Sequence, residues 1–348
     1  MNRSYNDQGR RSTSSLRRLS PGKRCRKCGK AGWCLESMDA LTALCMRESV
    51  GGVPYTMQDG QVGFIHRLDG ATAPAFHAPD SMPVAAAVKC ADLDTLNEVY
   101  RAFLDGLYLD CGHREHLRGR GLTDAAIDWI GCKTTPRDRR AHAARLIERF
   151  GVDVIARWPG AYYVKTDTGG YWTIGGVDGF YIPARDVDDR ILALVIRCDI
   201  PERPSDIPER PKYMLLSSTC HGGPGPGSPA HVCGWNGEPG GDVWCVEGTL
   251  KSAVSASLGS LACVGIPGCG AWQKAIRPLS VMKPDRVVLA FDNDVAEKMP
   301  VLRGLLAAYD GLRALGHHVE IASWPSEFKG LDDALLAHAP IEVNGDDC

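Results

Sequence analysis

Apolar residues in the last third of the chain fall in short unbroken runs: Val243-Trp-Cys-Val246, Leu261-Ala-Cys-Val-Gly-Ile266 and Val287-Val-Leu-Ala-Phe291. Each stops abruptly, at Glu247-Gly248, at Pro267-Gly268 and at Asp292-Asn-Asp294 respectively. Runs of this length bounded by breakers or charge read as buried strands. Helical stretches follow the first and third, from Thr249 to Leu258 and from about Val301 to Leu315, and His318 to Ala322 reads as one more strand. The order β-α-β-β-α-β predicts an α/β domain with a parallel sheet over 242–348. Acids stand at the tips of the first and third strands. In an open α/β sheet ligands bind at the carboxyl ends of parallel strands. Glu247, Asp292 and Asp294 would therefore converge on a cluster suited to one or two Mg²⁺ ions acting on phosphates.

Upstream the pattern is mixed. Leu93, Leu96, Val99, Tyr100, Phe103, Leu104 and Leu107 recur at helical spacing, and further helices are expected near Thr123–Ile130, with Thr123 as N-cap, and Arg137–Phe150. Strand-like segments follow at 162–165, 171–174, 179–182 and 191–197. The stretch Pro201–Pro211 holds four prolines and reads as an exposed loop; 221–241 is rich in Gly and Pro and is expected to lack regular structure. This α+β region, 84–241, is preceded by an Ala/Pro-rich linker at 69–83.

Cys25, Cys28, Cys34 and Cys45 lie within 21 residues. The segment 24–68 has too little core to fold without a staple. Four thiolates can close a tetrahedral zinc site, although the second pair is separated by ten residues rather than two to four. The pattern reads either as a closed four-cysteine site or as one knuckle with two incidental cysteines, and thiols this dense without a signal peptide favour zinc. Trp33 beside the knuckle could stack on a base or fill the small core.

Net charge is −2, so no global basic field advertises nucleic acid. Its distribution says more: residues 1–30 carry ten Lys/Arg against Asp7 alone, and 1–23 read as a disordered basic arm able to neutralise phosphates. No apolar run is long enough to span a membrane, and a cytoplasmic chain with reduced thiols is expected. The pairs Cys111/Cys132 and His113/His116 have no metal-site spacing, and Cys220-His221 lacks the setting of a thiol nucleophile.

The C-terminal segment resembles a Toprim domain, the catalytic fold of DnaG-type primases, topoisomerases and some nucleases. Arg120-Gly-Leu122 before a capped helix, Gly179-Phe-Tyr-Ile-Pro183-Ala-Arg185-Asp186 through Arg197, and Lys212-Tyr213-Met-Leu-Leu-Ser217 resemble successive segments of the primase core. A zinc ribbon ahead of them is the primase order, and Cys25–Arg47 followed by Gly63–Leu68 resembles primase-like proteins of phages, plasmids and integrative elements. The resemblance implies a DNA primase-like nucleotidyltransferase making short primers on single-stranded DNA from nucleoside triphosphates. Glu247, Asp292 and Asp294 would be its catalytic, Mg²⁺- or Mn²⁺-binding acids, with Asp332 a secondary candidate. Lys212, Arg197, Arg120 and Lys251 would contact nucleotide or template. Two positions depart from the pattern: Lys251 stands where the family usually has an acid, and Asn293 where it usually has Gly. Few residues follow the Toprim-like segment, which implies reliance on a separate replicative helicase. A Toprim nuclease and a non-catalytic single-strand-binding factor are the alternatives. A topoisomerase lacks its tyrosine-bearing domain here.

Overall fold

The computed structural model describes residues 16–19, 23–30, 34–37, 40–48, 50–56, 62–68, 88–199, 211–293 and 299–345. Most of the basic arm, the linker at 69–83, Trp33, the proline-rich segment 201–210 and Asp294 lie outside the described residues. The chain divides into two compact units, 1–80 with 202–211, and 81–201 with 212–348.

The first unit is a five-stranded antiparallel sheet. Its strands are β1 (Leu16–Arg18), β2 (Leu35–Ser37), β3 (Thr42–Cys45), β4 (Val53–Thr56) and β5 (Val62–Arg67), in the order β1-β2-β3-β5-β4. Leu16–Arg18 pairs with β2, so a segment expected to belong to the disordered arm forms an edge strand instead. Its partner strand supplies the hydrogen bonds that local composition could not foretell. The core of this unit is small: Leu19, Cys25, Cys34 and Cys45 are buried, with Cys28 and Met46 packed against them.

The second unit opens with helices α1 (Leu93–Asp105), α2 (Cys111–Arg118), α3 (Asp124–Ile130), a short strand β6 (Lys133–Thr134), and helices α4 (Arg139–Phe150) and α5 (Val152–Ile155). Asp92, Asp110, Thr123 and Asp138 each cap the helix that follows by accepting a hydrogen bond from the backbone N–H three residues on. Each such cap is worth about 1 kcal/mol. A hairpin of β7 (Ala161–Thr166) and β8 (Gly169–Ile174) follows. Next come β9 (Gly179–Arg185), β10 (Ile191–Cys198) and β11 (Tyr213–Leu215), which with β6 make an antiparallel sheet in the order β11-β10-β9-β6. Tyr100, Phe103, Trp158 and Tyr181 are fully buried, and Phe103 meets Trp158 and Tyr181 edge-on at 5.3 and 5.4 Å between ring centroids.

The remaining elements are β12 (His231–Cys233), β13 (Asp242–Glu247), α6 (Thr249–Gly259), β14 (Ala262–Ile266), α7 (Ile276–Met282), β15 (Arg286–Ala290), α8 (Met299–Ala314), β16 (Val319–Ser323), α9 (Leu331–Leu336) and β17 (Glu342–Asn344). They build a six-stranded sheet in the order β12-β14-β13-β15-β16-β17. The four central strands are parallel and the two edges antiparallel. The expected β-α-β-β-α-β core is present with four additions, β12, α7, α9 and β17. β12 lies in the stretch expected to be irregular; its three residues are held by pairing with β14 rather than by propensity.

Side chains alternate across this sheet. Trp244, Val246, Val288 and Ala290 face one layer with α6 and α9, while Val243, Cys245, Val287 and Leu289 face the other with α7 and α8. Leu117, Leu122, Ile127 and Ile130, from α2, α3 and the turn between them, belong to the first layer. One apolar core thus runs across the expected boundary at 241/242. Among the described residues no helix is long and apolar enough to cross a membrane.

Candidate active site and zinc centre

Cys25 and Cys28 sit on a turn that Gly29 closes with φ +67°, its N–H donating to Cys25 O at 2.8 Å. Ten residues separate Cys34 from Cys45 in sequence, yet the two are neighbours in space. β2 and β3 pair Leu35 with Leu44, and one step further along that register Cys34 faces Cys45. The long interval is the β2–β3 hairpin itself. All four sulfur atoms lie within 4.8 Å of one another, and the Cys28–Cys34 and Cys34–Cys45 separations are both 3.8 Å. Four Zn–S bonds of about 2.3 Å in a tetrahedron put neighbouring sulfurs about 3.8 Å apart, so the set fits structural zinc. Backbone N–H groups of Lys27 and Glu48 point at the Cys25 and Cys45 sulfurs, at 3.4 and 3.2 Å. Burial raises the Cys28 thiol, but the Lys30 backbone, Arg47 and the neighbouring sulfurs outweigh it and bring it down to about 7.

In the second unit the acids meet at the sheet. β13 connects through α6 to β14 on one side, and the chain then crosses to β15 on the other, so the crevice between β13 and β15 is where the winding reverses. Glu247 ends β13 and Asp292 follows β15 by two residues, on adjacent parallel strands. Gly248, at φ +89°, makes the turn from strand to helix, and its N–H donates to Ile266 O at 2.7 Å. Glu247 Oε1 is buried without a hydrogen-bond partner. Burial first, and the Asp292 charge second, push the Glu247 carboxyl above its ordinary range. Cys269, in the turn after β14, lies close enough that burial and the Glu247 charge push its thiol up to about 11.

Asp292 is not open. Lys251, in the first turn of α6, places Nζ 2.5 Å from both of its carboxylate oxygens, and Lys329 Nζ stands 4.0 Å away. Asn293 secures this end of β15. Its side-chain amide donates to Phe328 O at 2.8 Å and Pro325 O at 3.2 Å, and its backbone N–H to Lys329 O at 2.8 Å. The unexpected Asn is thus a clamp on the loop that carries Lys329. Gly330 follows in that loop. A Cβ there would lie 2.5 Å from Asp332 Oδ1, 3.2 Å from Lys251 Nζ and 3.3 Å from Asp292 Oδ1.

Asp332 is 2% exposed and ion-pairs with Arg120 across 212 residues of sequence. Gly121 makes the approach feasible: it turns at φ +83°, and a Cβ on it would strike Leu336 of α9 at 2.5 Å. Asp332 Oδ1 keeps no hydrogen-bond partner. Burial pushes its carboxyl above the ordinary range, with Arg120 the largest opposing influence. Arg197 and Lys212 flank the Tyr213 ring at 5.7 and 5.8 Å from its centroid. Burial lowers the Lys212 ammonium, and the charges of Arg197, Arg120, Lys251 and Lys329 lower it further; His116, lowered first by burial, feels two of these neighbours, Arg197 and Arg120, and Lys212 itself. The basic residues singled out from sequence therefore converge beside the acids. Lys329, Asn293, Cys269 and His116 were not singled out as site residues. All but His116 fall just after strand ends or in the adjoining loop, which is the signal that could have found them.

The expected Mg²⁺ or Mn²⁺ site does not fit the described side chains as they stand. Glu247 and Asp332 each offer one orphaned oxygen, but both Asp292 oxygens are engaged by Lys251 and the other Asp332 oxygen by Arg120. Among the described residues only the four cysteines gather as a metal-ligand set.

No protein-family model matches the chain, and no curated protein matches it. Solved structures do. The chain is similar to a DNA primase domain from Pseudomonas aeruginosa, with TM-score 0.50 and 17% identity over 70% of this chain and 75% of that one. It is similar to the RNA polymerase domain of Mycobacterium tuberculosis primase DnaG, solved with a double-stranded DNA oligomer bearing a 6-nucleotide overhang, with TM-score 0.51 and 16% identity over 72% and 80%. It is also similar to the zinc-binding and RNA polymerase domains of Aquifex aeolicus primase, with TM-score 0.51 and 12% identity over 94% and 81%. The mixed α/β architecture with an N-terminal four-cysteine cluster matches the primase fold.

Proposed function

We propose that this protein is a DNA primase-like nucleotidyltransferase with a Toprim-type catalytic domain. The observation that carries the reading is the convergence of Glu247 and Asp292, at the switch point of the parallel sheet, with Arg120, Arg197, Lys212, Lys251 and Lys329. Acids beside a cationic face suit phosphoryl transfer, which is chiefly positioning and charge stabilisation. The bond formed joins a 3′-hydroxyl oxygen to the α-phosphorus of a nucleoside triphosphate; the bond broken releases pyrophosphate. Arg197 and Lys212 would hold triphosphate or template phosphates, and Tyr213 would orient them both. Glu247, with its raised carboxyl, is suited to taking the hydroxyl proton, since a general base works best with a pKa drawn toward the operating pH. The Mycobacterium tuberculosis domain was solved with DNA bearing an overhang. In our reading this chain takes single-stranded DNA, gripped also by the zinc unit and by the basic residues of 1–30.

The setting we propose is the cytoplasm, where the four thiols stay reduced for zinc. The host would be a mobile element, which the N-terminal resemblance supports, and a separate replicative helicase would be its partner. Glu247 and Asp292 would be the residues to hold the divalent ion such chemistry ordinarily uses, which would supply charge neutralisation at the transferred phosphorus. The test is incubation with single-stranded DNA, labelled nucleotides and Mg²⁺ or Mn²⁺. Short labelled products that vanish in Glu247→Gln and Asp292→Asn support the reading. Shortened DNA without incorporation would instead establish a nuclease, and binding without either product a non-catalytic factor.

A further inference from the structure

Lys251 and Asp292 are both largely shielded, at 21% and 14% side-chain exposure, and the ammonium sits symmetrically on the two carboxylate oxygens at 2.5 Å. These are the lone pairs a hard divalent cation would need. We propose that Lys251 is a tethered counterion that competes with a divalent cation for Asp292, so that this chain loads metal at the crevice only by displacing its own ammonium. The proposal rests on the primase-like reading of the site.

Three observations carry it beyond an ordinary ion pair. Lys251 is in the first turn of α6, where the helix dipole disfavours a cation, so the helix does not account for its placement. Gly330 lacks the Cβ that would crowd Lys251 Nζ and Asp292 Oδ1, at 3.2 and 3.3 Å, which leaves room for the two groups to meet. Glu247 Oε1 remains buried and unpartnered beside the pair. A divalent ion that displaced Lys251 would gain that oxygen as well as Asp292, whereas the ammonium leaves it unsatisfied. The crevice holds donors for a stronger cation than the one it carries.

The test is Mn²⁺ titration of the zinc-replete full chain, followed by calorimetry and by loss of the free Mn²⁺ paramagnetic resonance signal. Lys251→Met removes the charge and keeps the stem. It should bind Mn²⁺ roughly tenfold more tightly or better than wild type, because one competing charge close to the ion is gone. Lys251→Arg should stay near wild type, and adding Asp292→Asn to Lys251→Met should erase the gain. If thermal melting shows Lys251→Met unfolded, Lys251→Gln, which keeps a donor to Asp292, takes its place. Equal affinities in wild type and Lys251→Met would overturn the counterion while leaving the acids a metal site. No Mn²⁺ binding by any variant would overturn the counterion and the metal chemistry together. Primer synthesis is scored separately, so its loss cannot be mistaken for either.

Discussion

Replacing Arg120 by Met should expose how much of the second unit hangs on one buried carboxylate. Asp332 is 2% exposed, and Arg120 is the cation paired with it. Removing one partner of a buried pair costs about 3–5 kcal/mol, because the other charge is left in a low-dielectric site. The variant can escape only by protonating Asp332, whose carboxyl burial already raises above its ordinary value of 3.8. That fixes the sign. Between the ordinary and the raised pKa the folded state holds more protons than the unfolded one, so stability falls as pH rises through that window. Without Arg120 the window widens upward. The loss relative to wild type should be near its full size at about pH 8 and should shrink toward about pH 5, at most about 1.4 kcal/mol per pH unit. Urea unfolding followed by tryptophan fluorescence reads it through Trp244 and Trp324, which share the Asp332 side of the sheet. The double variant Arg120→Met/Asp332→Asn should recover most of the loss, since it leaves no buried charge. A loss equal at both pH values, or a double variant no better than the single one, refutes the reasoning.

Two further outcomes are expected. The purified chain should carry about one zinc, and Cys34→Ser should lose it and unfold the first unit without changing the urea midpoint of the second; full zinc retention by that variant would refute the four-thiolate assignment. Glu247→Gln should melt higher than wild type at about pH 8 in metal-free buffer and no higher at about pH 4, because the raised Glu247 carboxyl destabilises the fold only once it is ionised; a gain independent of pH would point to packing.

Much of this was legible from one sequence because the signals were local. Apolar runs that end in charge located β13 and β15, and helical spacing located α1, α6 and α8. Thr123 as an N-cap placed α3 to within one residue. What was not legible depended on partners distant in sequence. β12 is three residues in a stretch full of breakers and exists by pairing with β14. Leu16–Arg18 looked like arm until β2 supplied its ladder. Lys251 was visible as a departure, but its seat on Asp292 required the fold, as did the pairing of Arg120 with Asp332. The ten-residue interval between Cys34 and Cys45, awkward as a zinc spacing, became ordinary once β2 and β3 were seen to pair.

The alignment of β13 with β15 also governs which changes of length the chain can absorb. Glu247 and Asp292 are neighbours because two parallel strands lie about 4.8 Å apart, not because of the interval between them in sequence. That interval is filled by α6, β14, a packed 3₁₀ turn (Cys269–Ala275) and α7, and length added at exposed junctions between these elements would leave the acids in place. A single deletion inside β13 or β15 would do the opposite, swinging the acid to the other side of the sheet. Descendants of such a gene could therefore diverge widely in spacing while remaining intolerant of one lost codon in either strand.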